Sequence, residues 1–293
     1  MGGLAAMELG RRGARILVVG HNGARGAAAV EAIRGAGGRA EFLRADMGDA
    51  AQGSALAAAV LERSRSIEVL IHSAGGLAPS AERTREGVDR GFAQNFLGAF
   101  LLTRLLEERL LASAPARVIA VGSSTHRFVT RVNLDTFMRP AVRRMSGFQK
   151  GNYQMDSYQM AKLAVTTWIY SLAARWRGQG VTANLLDPRL VKGEFGAEFE
   201  SPIRPMFSVA SFLFADGMKK GSKQYVRLAA DPALGSVSGM YFVSGKEKPA
   251  ASSSLSRDPV TQKRINDAAE AWAAPFLRAR SAQASAMAGG SHN

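Results

Sequence analysis

The chain has 293 residues, 46% of them hydrophobic, and a formal net charge of +14, enough for one large α/β core. It has no cysteine and only four histidines, none in HxxxH or HExxH spacing, which excludes disulfides and thiolate metal sites and argues against zinc. Its basic residues are spread along the sequence without interleaved aromatics, so nucleic acid is not the expected partner, although a basic surface suits an anionic dinucleotide.

The opening GGLAAMELGRRGA has helical spacing of Leu4, Met7 and Leu9 and a stop at Gly13. Its apolar run is too short for a secretory signal. From there, apolar runs and amphipathic stretches alternate. ARILVVG (14–20), AEFLRAD (40–46), IEVLIHSAG (67–75), RVIAVGSS (117–124), VTANLLDP (181–188) and SGMYFVSG (238–245) read as short strands buried on both faces. Between them, 24–36, 50–65, 81–112 (as two helices), 155–178 and 217–230 read as helices. No run of ~20 apolar residues occurs, so no membrane-spanning helix is expected, and a cytoplasmic protein is. The alternation predicts an α/β fold: a doubly wound, Rossmann-like, mostly parallel sheet flanked by helices. One domain is expected over 1–276, and the small, polar 277–293 is expected to be a disordered tail.

The start departs from that plan. A doubly wound domain opens with a strand, a glycine turn and then a helix whose N-terminus holds a pyrophosphate. Here the chain opens inside the helix. The first strand and turn are therefore expected to be missing, with the flanking strands left partly bare.

The strongest local signal for chemistry is Tyr158-Gln-Met-Ala-Lys162. On a helix, positions i and i+4 face the same way, and an ammonium beside a phenol stabilises the phenolate for proton transfer. None of the other four tyrosines has a lysine at i+4. Upstream, RVIAVG runs into Ser123 and Ser124, which places a hydroxyl at the C-terminal edge of the sheet, where ligands bind. Asn95 lies in an otherwise apolar helical stretch and needs hydrogen-bond partners. The small residues of HSAGG suit a backbone that passes close to a ligand.

These segments, taken in order from residue 2 to about 275, resemble the short-chain dehydrogenase/reductase family. HNGARGAAAVEAIR, the trailing His126 and SVSGMYF resemble its retinol-dehydrogenase-like branch. The resemblance implies a catalytic set of Asn95, Ser123 (with Ser124 as the alternative), Tyr158 and Lys162. Tyr158 would be the general acid/base. Lys162 would lower its pKa and hold the nicotinamide ribose, and Asn95 would anchor a water. The implied cofactor-binding residues are Gly2, His21, Asn22, Arg25, Asp46, Met47, Ala74, Gly75 and Pro188, together with Tyr158 and Lys162.

The departures from the family pattern are informative. Only Gly2 remains of the opening TGxxxGxG motif, NNAG is His72-Ser73-Ala74-Gly75, and the usual Pro-Gly is Pro188-Arg189. No acidic residue follows the strand at 14–20, whereas His21 and Arg25 do, which favours NADP over NAD. The stretch 126–154 is expected to form an insertion over the site. A substrate loop and helix is expected at about 190–220, with Met206, Phe207, Phe212, Leu213 and Phe214 as an apolar wall for a lipophilic alcohol, aldehyde or ketone. The rival expectation is a truncated or pseudoenzyme remnant that binds no dinucleotide. A homo-oligomer is left open.

Overall fold

The computed structural model describes residues 1–78, 82–139, 147–189 and 218–289. Helix α1 (Gly2–Arg11) leads into β1 (Arg15–Gly20), α2 (Gly23–Gly35), β2 (Arg39–Arg44), α3 (Ala50–Arg63) and β3 (Val69–His72). After a loop, α4 (Arg90–Phe92), a π-helical turn (Ala93–Leu97) and α5 (Gly98–Ala112) run on as one rod to β4 (Ala116–Val121). A 3-10 turn (Ser124–Phe128), α6 (Asp135–Met138), α7 (Gly147–Arg175) and β5 (Val181–Asp187) follow. The chain then forms α8 (Met218–Ala230), β6 (Tyr241–Val243), α9 (Ser254–Arg257) and α10 (Pro259–Gly289). Side-chain caps mark several helix starts: Asn22 accepts from Arg25 N, Asp49 from Gln52 N and Asp89 from Phe92 N.

All strand pairs are parallel, as expected, but the sheet is divided. Among the described residues, β1 pairs only with β2, while β3, β4, β5 and β6 form a second sheet in that order. The two share their covering layers. On one face, α1 packs Met1 and Leu9 with Val69 and Ile71 of the larger sheet, and Ala6 and Met7 with Ile16 and Val18 of the smaller. On the other, Leu17, Leu43 and Leu70 all pack against the main core.

Burial corrects the expectation of strands covered on both faces. It holds for β5, in which all seven residues are buried, and nearly for β4. It fails for β1 and β3, which are mostly half-exposed; Val19 is 37% exposed. The physical reason is the missing ladder between them, which leaves apolar side chains without a neighbour on that side.

Three further expectations change. The pair of helices at 81–112 is one rod that starts only at Arg90. Within 126–154 the described residues form the 3-10 turn and α6, and then the first turns of α7 from Gly147. Of the tail expected to be disordered, 277–289 continue α10, which is anchored by buried Ile265, Ala269 and Ala273, and 290–293 lie outside the described residues. Residues 190–217, with Met206, Phe207, Phe212, Leu213 and Phe214, lie outside the described residues.

Candidate active site

The C-terminal ends of β3, β4 and β5 meet the middle of α7. Register places Val121 opposite Leu186, and Gly122 N donates to Leu186 O at 2.9 Å, so the chain leaves β4 beside the end of β5. It then turns through Ser123, whose Oγ accepts from Thr125 N (3.3 Å) and Thr125 Oγ1 (2.9 Å). The Tyr158 side chain is hydrogen-bonded to Ser123. Of the two sequence candidates, Ser123 and not Ser124 makes that contact. One turn along α7, Lys162 Nζ lies 5.4 Å from the Tyr158 ring centre and donates to Val121 O at 3.0 Å.

Asn95 completes the group from the π-helical turn. Its Oδ1 accepts from Gly76 N (3.1 Å), and its Nδ2 donates to Gly76 O (2.7 Å) and Gly91 O (2.8 Å). Gly91 O is the i−4 carbonyl that an α-helical N–H would use, so the side chain competes with the ladder where it widens to π. These bonds hold the loop after β3 against the helix. Gly75 in that loop has φ +145, and a Cβ there would lie 2.5 Å from Asn95 Oδ1 and 3.6 Å from Lys162 Nζ. Only glycine fits where the loop passes this close to Asn95 and Lys162.

Burial sets the electrostatics. Tyr158 is 8% exposed, and desolvation pushes its phenol above the ordinary range against the lowering effect of the Ser123 hydrogen bond, with the Asp187 carboxylate adding to the rise. Lys162 is 2% exposed, and burial brings its ammonium down to about 8, opposed by Asp187. Near neutral pH the pair is therefore a protonated phenol beside a largely protonated amine.

His126 supports the same turn. Its Nε2 accepts from Ser253 N at 3.1 Å, so its proton sits on Nδ1, which donates to Ser123 O at 2.5 Å. The neutral ring is favoured because burial lowers its pKa. His72 is buried, with Nε2 2.7 Å from Thr103 Oγ1 and its ring tilted against Trp168. Ser73 bonds the Tyr225 hydroxyl at 3.0 Å, while Ala74 and Gly75 are exposed at the sheet edge.

The remaining residues named from sequence fall into two places. Gly2 opens α1, whose N-terminus has no side-chain cap, and a Cβ on Gly2 would lie 3.1 Å from Ser73 Oγ. The unpaired N–H groups of α1 thus lie beside the loop after β3. His21, Asn22 and Arg25 are exposed after β1, where Arg44 Nε donates to His21 O at 3.1 Å and Asn22 is committed to capping α2. Asp46 accepts from Gly48 N at 2.8 Å and pairs with Arg90, while Met47 lies half-buried beside it. Pro188 is buried, and Arg189 takes φ +62, the conformation a glycine favours. Arg44 and Asp187 were missed from sequence. Arg44 follows an apolar run like any strand-end arginine, and Asp187 reads as the polar end of a strand.

The donor set fits a nicotinamide dinucleotide at its reactive end: a glycine cradle that a Cβ would fill, a buried ammonium, and a phenol with a hydroxyl partner. At the diphosphate, the described residues offer the uncapped N-terminus of α1. Among the described residues no group of three or more His, Cys, Asp or Glu could hold a metal, and no helix is long and apolar enough to cross a membrane.

The family model for short chain dehydrogenases matches residues 1–132. Retinol dehydrogenase 14 of Mus musculus is 30% identical over 262 residues, covering 85% of this chain and 75% of the relative. Dehydrogenase/reductase SDR family member 13 of Bos taurus is 33% identical over 245 residues, 83% of this chain but only 62% of that protein's length. Among solved structures, a short chain dehydrogenase from Burkholderia cenocepacia in complex with NADP has a TM-score of 0.63 at 18% identity, covering 83% of this chain and 90% of its own. An NADH-dependent reductase complexed with NAD has a TM-score of 0.60 at 23% identity, covering 85% and 92%. At these identities the structural likeness concerns the fold.

Proposed function

This chain belongs to the short-chain dehydrogenase/reductase family, and on that premise we propose that it interconverts a lipophilic alcohol and its aldehyde or ketone with NADP(H) or NAD(H). The observation that carries the proposal is the convergence of Ser123, Tyr158 and Lys162, with Asn95 and Lys162 both meeting the loop at Gly75. A bound nicotinamide would supply or take the hydride. In reduction, Ser123 orients the carbonyl oxygen and Tyr158 gives its phenolic proton to that oxygen as the carbon gains hydride. In oxidation the same proton returns from the alcohol. Lys162 keeps a positive charge beside the phenol and so limits the cost of the phenolate left after proton transfer. Asn95 holds the loop after β3 beside Lys162.

NADP is the favoured cofactor. Arg44 Nε donates to His21 O just after β1, Arg25 lies in the first turn of α2, and no acidic residue directly follows β1 to pair with a free ribose 2′-hydroxyl. The lipophilic substrate class rests on the retinol dehydrogenases among the relatives and on the apolar stretch 202–220. The test is turnover of a panel of long-chain alcohols and aldehydes with each cofactor, alongside Tyr158→Phe. We expect the variant to lose at least about 100-fold in kcat while NADPH affinity stays close to wild type. Retained turnover would remove Tyr158 from its role.

A second reading, a chain that binds no dinucleotide, is favoured by one observation: the sheet is split between β1 and β3, where a doubly wound fold binds its cofactor. Calorimetric titration with NADPH and NADH separates the two, since this reading expects no heat of binding.

A further inference from the structure

Asp187 closes β5 with a side chain that is 3% exposed. Its Oδ2 accepts from the Tyr241 hydroxyl at 2.7 Å, and its Oδ1 accepts from Arg189 N at 2.8 Å. Both donors are neutral. Among the described residues Asp187 makes no ion pair within 4 Å, although an unpaired carboxylate is expensive to bury. Lys162 is in the complementary position: a buried ammonium whose hydrogen bond goes to a neutral carbonyl, Val121 O. That carbonyl belongs to the residue paired with Leu186, next to Asp187. Two opposite charges thus lie buried at adjacent strand ends, each solvated by neutral groups and neither touching a counter-ion among the described residues.

We propose that Asp187 is a positioning residue, the buried counter-charge that keeps the Lys162 ammonium inside the closed site and fixes the backbone on the far side of the reactive pair. The proposal rests on Tyr158 and Lys162 being that pair. The electrostatics agree in direction: Asp187 raises the proton affinity of Lys162 against burial, and it also raises those of Tyr158, Tyr241 and His126. The charged and titratable groups around it are Lys162 and Tyr158 on α7, Tyr241 on β6, His126 and Arg127 in the turn after β4, and Arg189 beyond β5. Lys162 is the one buried cation in that set. The same carboxylate does mechanical work. By accepting from Arg189 N it holds a left-handed backbone that a non-glycine residue resists. Through Tyr241, whose ring lies 5.4 Å from that of His126, it braces the histidine that grips Ser123 O.

The experiment reads Lys162 directly and needs no turnover. In 15N-lysine-labelled protein, the Lys162 Nζ signal is assigned by its loss in Lys162→Arg and titrated in wild type and in Asp187→Asn, which keeps the shape of the side chain. We expect Lys162 to release its proton about tenfold more readily in Asp187→Asn. An unchanged titration in a folded variant would overturn the proposal. Should Asp187→Asn fail to fold, the double variant Asp187→Asn/Lys162→Met decides. Removing both charges should restore folding lost on removing one, and a double variant no more stable than the single would also overturn the proposal. Failure of the Tyr158→Phe turnover test would leave this coupling measurable, so the two ideas fall separately.

Discussion

His72 offers the sharpest test of how burial governs this protein. The ring lies between α5 and α7, with Nε2 on the Thr103 hydroxyl and the imidazole tilted 57° against Trp168, and no carboxylate nearby compensates a charge. Desolvation lowers its pKa from 6.5 to about 4. The unfolded chain therefore binds a proton more readily than the folded one, and stability falls with acid. This contribution is fully present above pH 6.5 and is lost progressively as the pH drops toward about 4. At about 1.4 kcal/mol per tenfold in proton affinity, the whole effect is on the order of 3 kcal/mol. Between pH 7.5 and 4.5 that amounts to roughly 2.5 kcal/mol. The perturbation is His72→Asn, which keeps an amide for Thr103 but cannot titrate. Urea unfolding of both proteins across this range should show the wild type losing about 2.5 kcal/mol more than the variant. His126 and the carboxylates titrate in both and cancel in the difference. Parallel pH–stability curves would refute the assignment of a buried, uncompensated imidazole.

Other consequences follow from close packing and buried charge. At Gly98, where α5 begins, a Cβ would stand 1.9 Å from Met47 O, so Gly98→Ala should cost about 2–4 kcal/mol in urea unfolding, and a neutral result would contradict that approach. Arg189 holds φ +62; relief of left-handed strain, less the extra freedom of an unfolded glycine, predicts that Arg189→Gly gains about 0.5–1 kcal/mol. A loss of stability on that substitution would mean the backbone is not strained. Glu107 accepts from Trp176 Nε1 at 2.9 Å and pairs with Arg104 and Arg175, tying α5 to α7. Because both arginines reach partly into water, Glu107→Gln should cost about 2 kcal/mol rather than the full penalty of a buried pair, as measured by thermal unfolding at low and high salt.

Much of the frame was legible in the sequence because its signals are local. Each strand is a short apolar run, and each matches an observed strand to within a few residues; the six-residue β1 differs from its expected span only at Ala14. The candidate site was legible because several residue types recur in one order, so that Ser123, Tyr158 and Asn95 gave meaning to a tyrosine–lysine spacing that is weak alone. What was not legible depends on tertiary context. The chain after Phe276 looks small and polar, yet alanine, arginine and glutamine are good helix formers, and the helix that ends there is already anchored by Ile265, Ala269 and Ala273. The π-helical turn follows from where Asn95 sends its amide, which no periodicity encodes. The protonated state of Tyr158 follows from desolvation, which depends on what covers the ring rather than on what lies four residues away.

The division of the sheet also divides the labour of the site. Asn95, Ser123, Tyr158, Lys162 and Asp187 stand on β5, in the turn after β4 or on the helical elements that cover the four-stranded sheet, and their hydrogen bonds close among these elements, β4, β6 and the loops after β3 and β5. His21, Asn22, Arg25, Arg44, Asp46 and Met47 follow the ends of β1 and β2, on the smaller sheet. On the proposed function, proton chemistry would therefore depend on packing within the larger sheet. Grip on a dinucleotide would depend on holding the two sheets at a fixed separation, because one end of such a ligand would meet each. Among the described residues no β-ladder joins them; α1 and the shared core do, through side-chain packing that is less directional than backbone hydrogen bonding. On that reading, cofactor affinity is the property most sensitive to anything that bridges β1 and β3. The ionisation of Tyr158 and Lys162, set inside the larger sheet, is the property least sensitive to it.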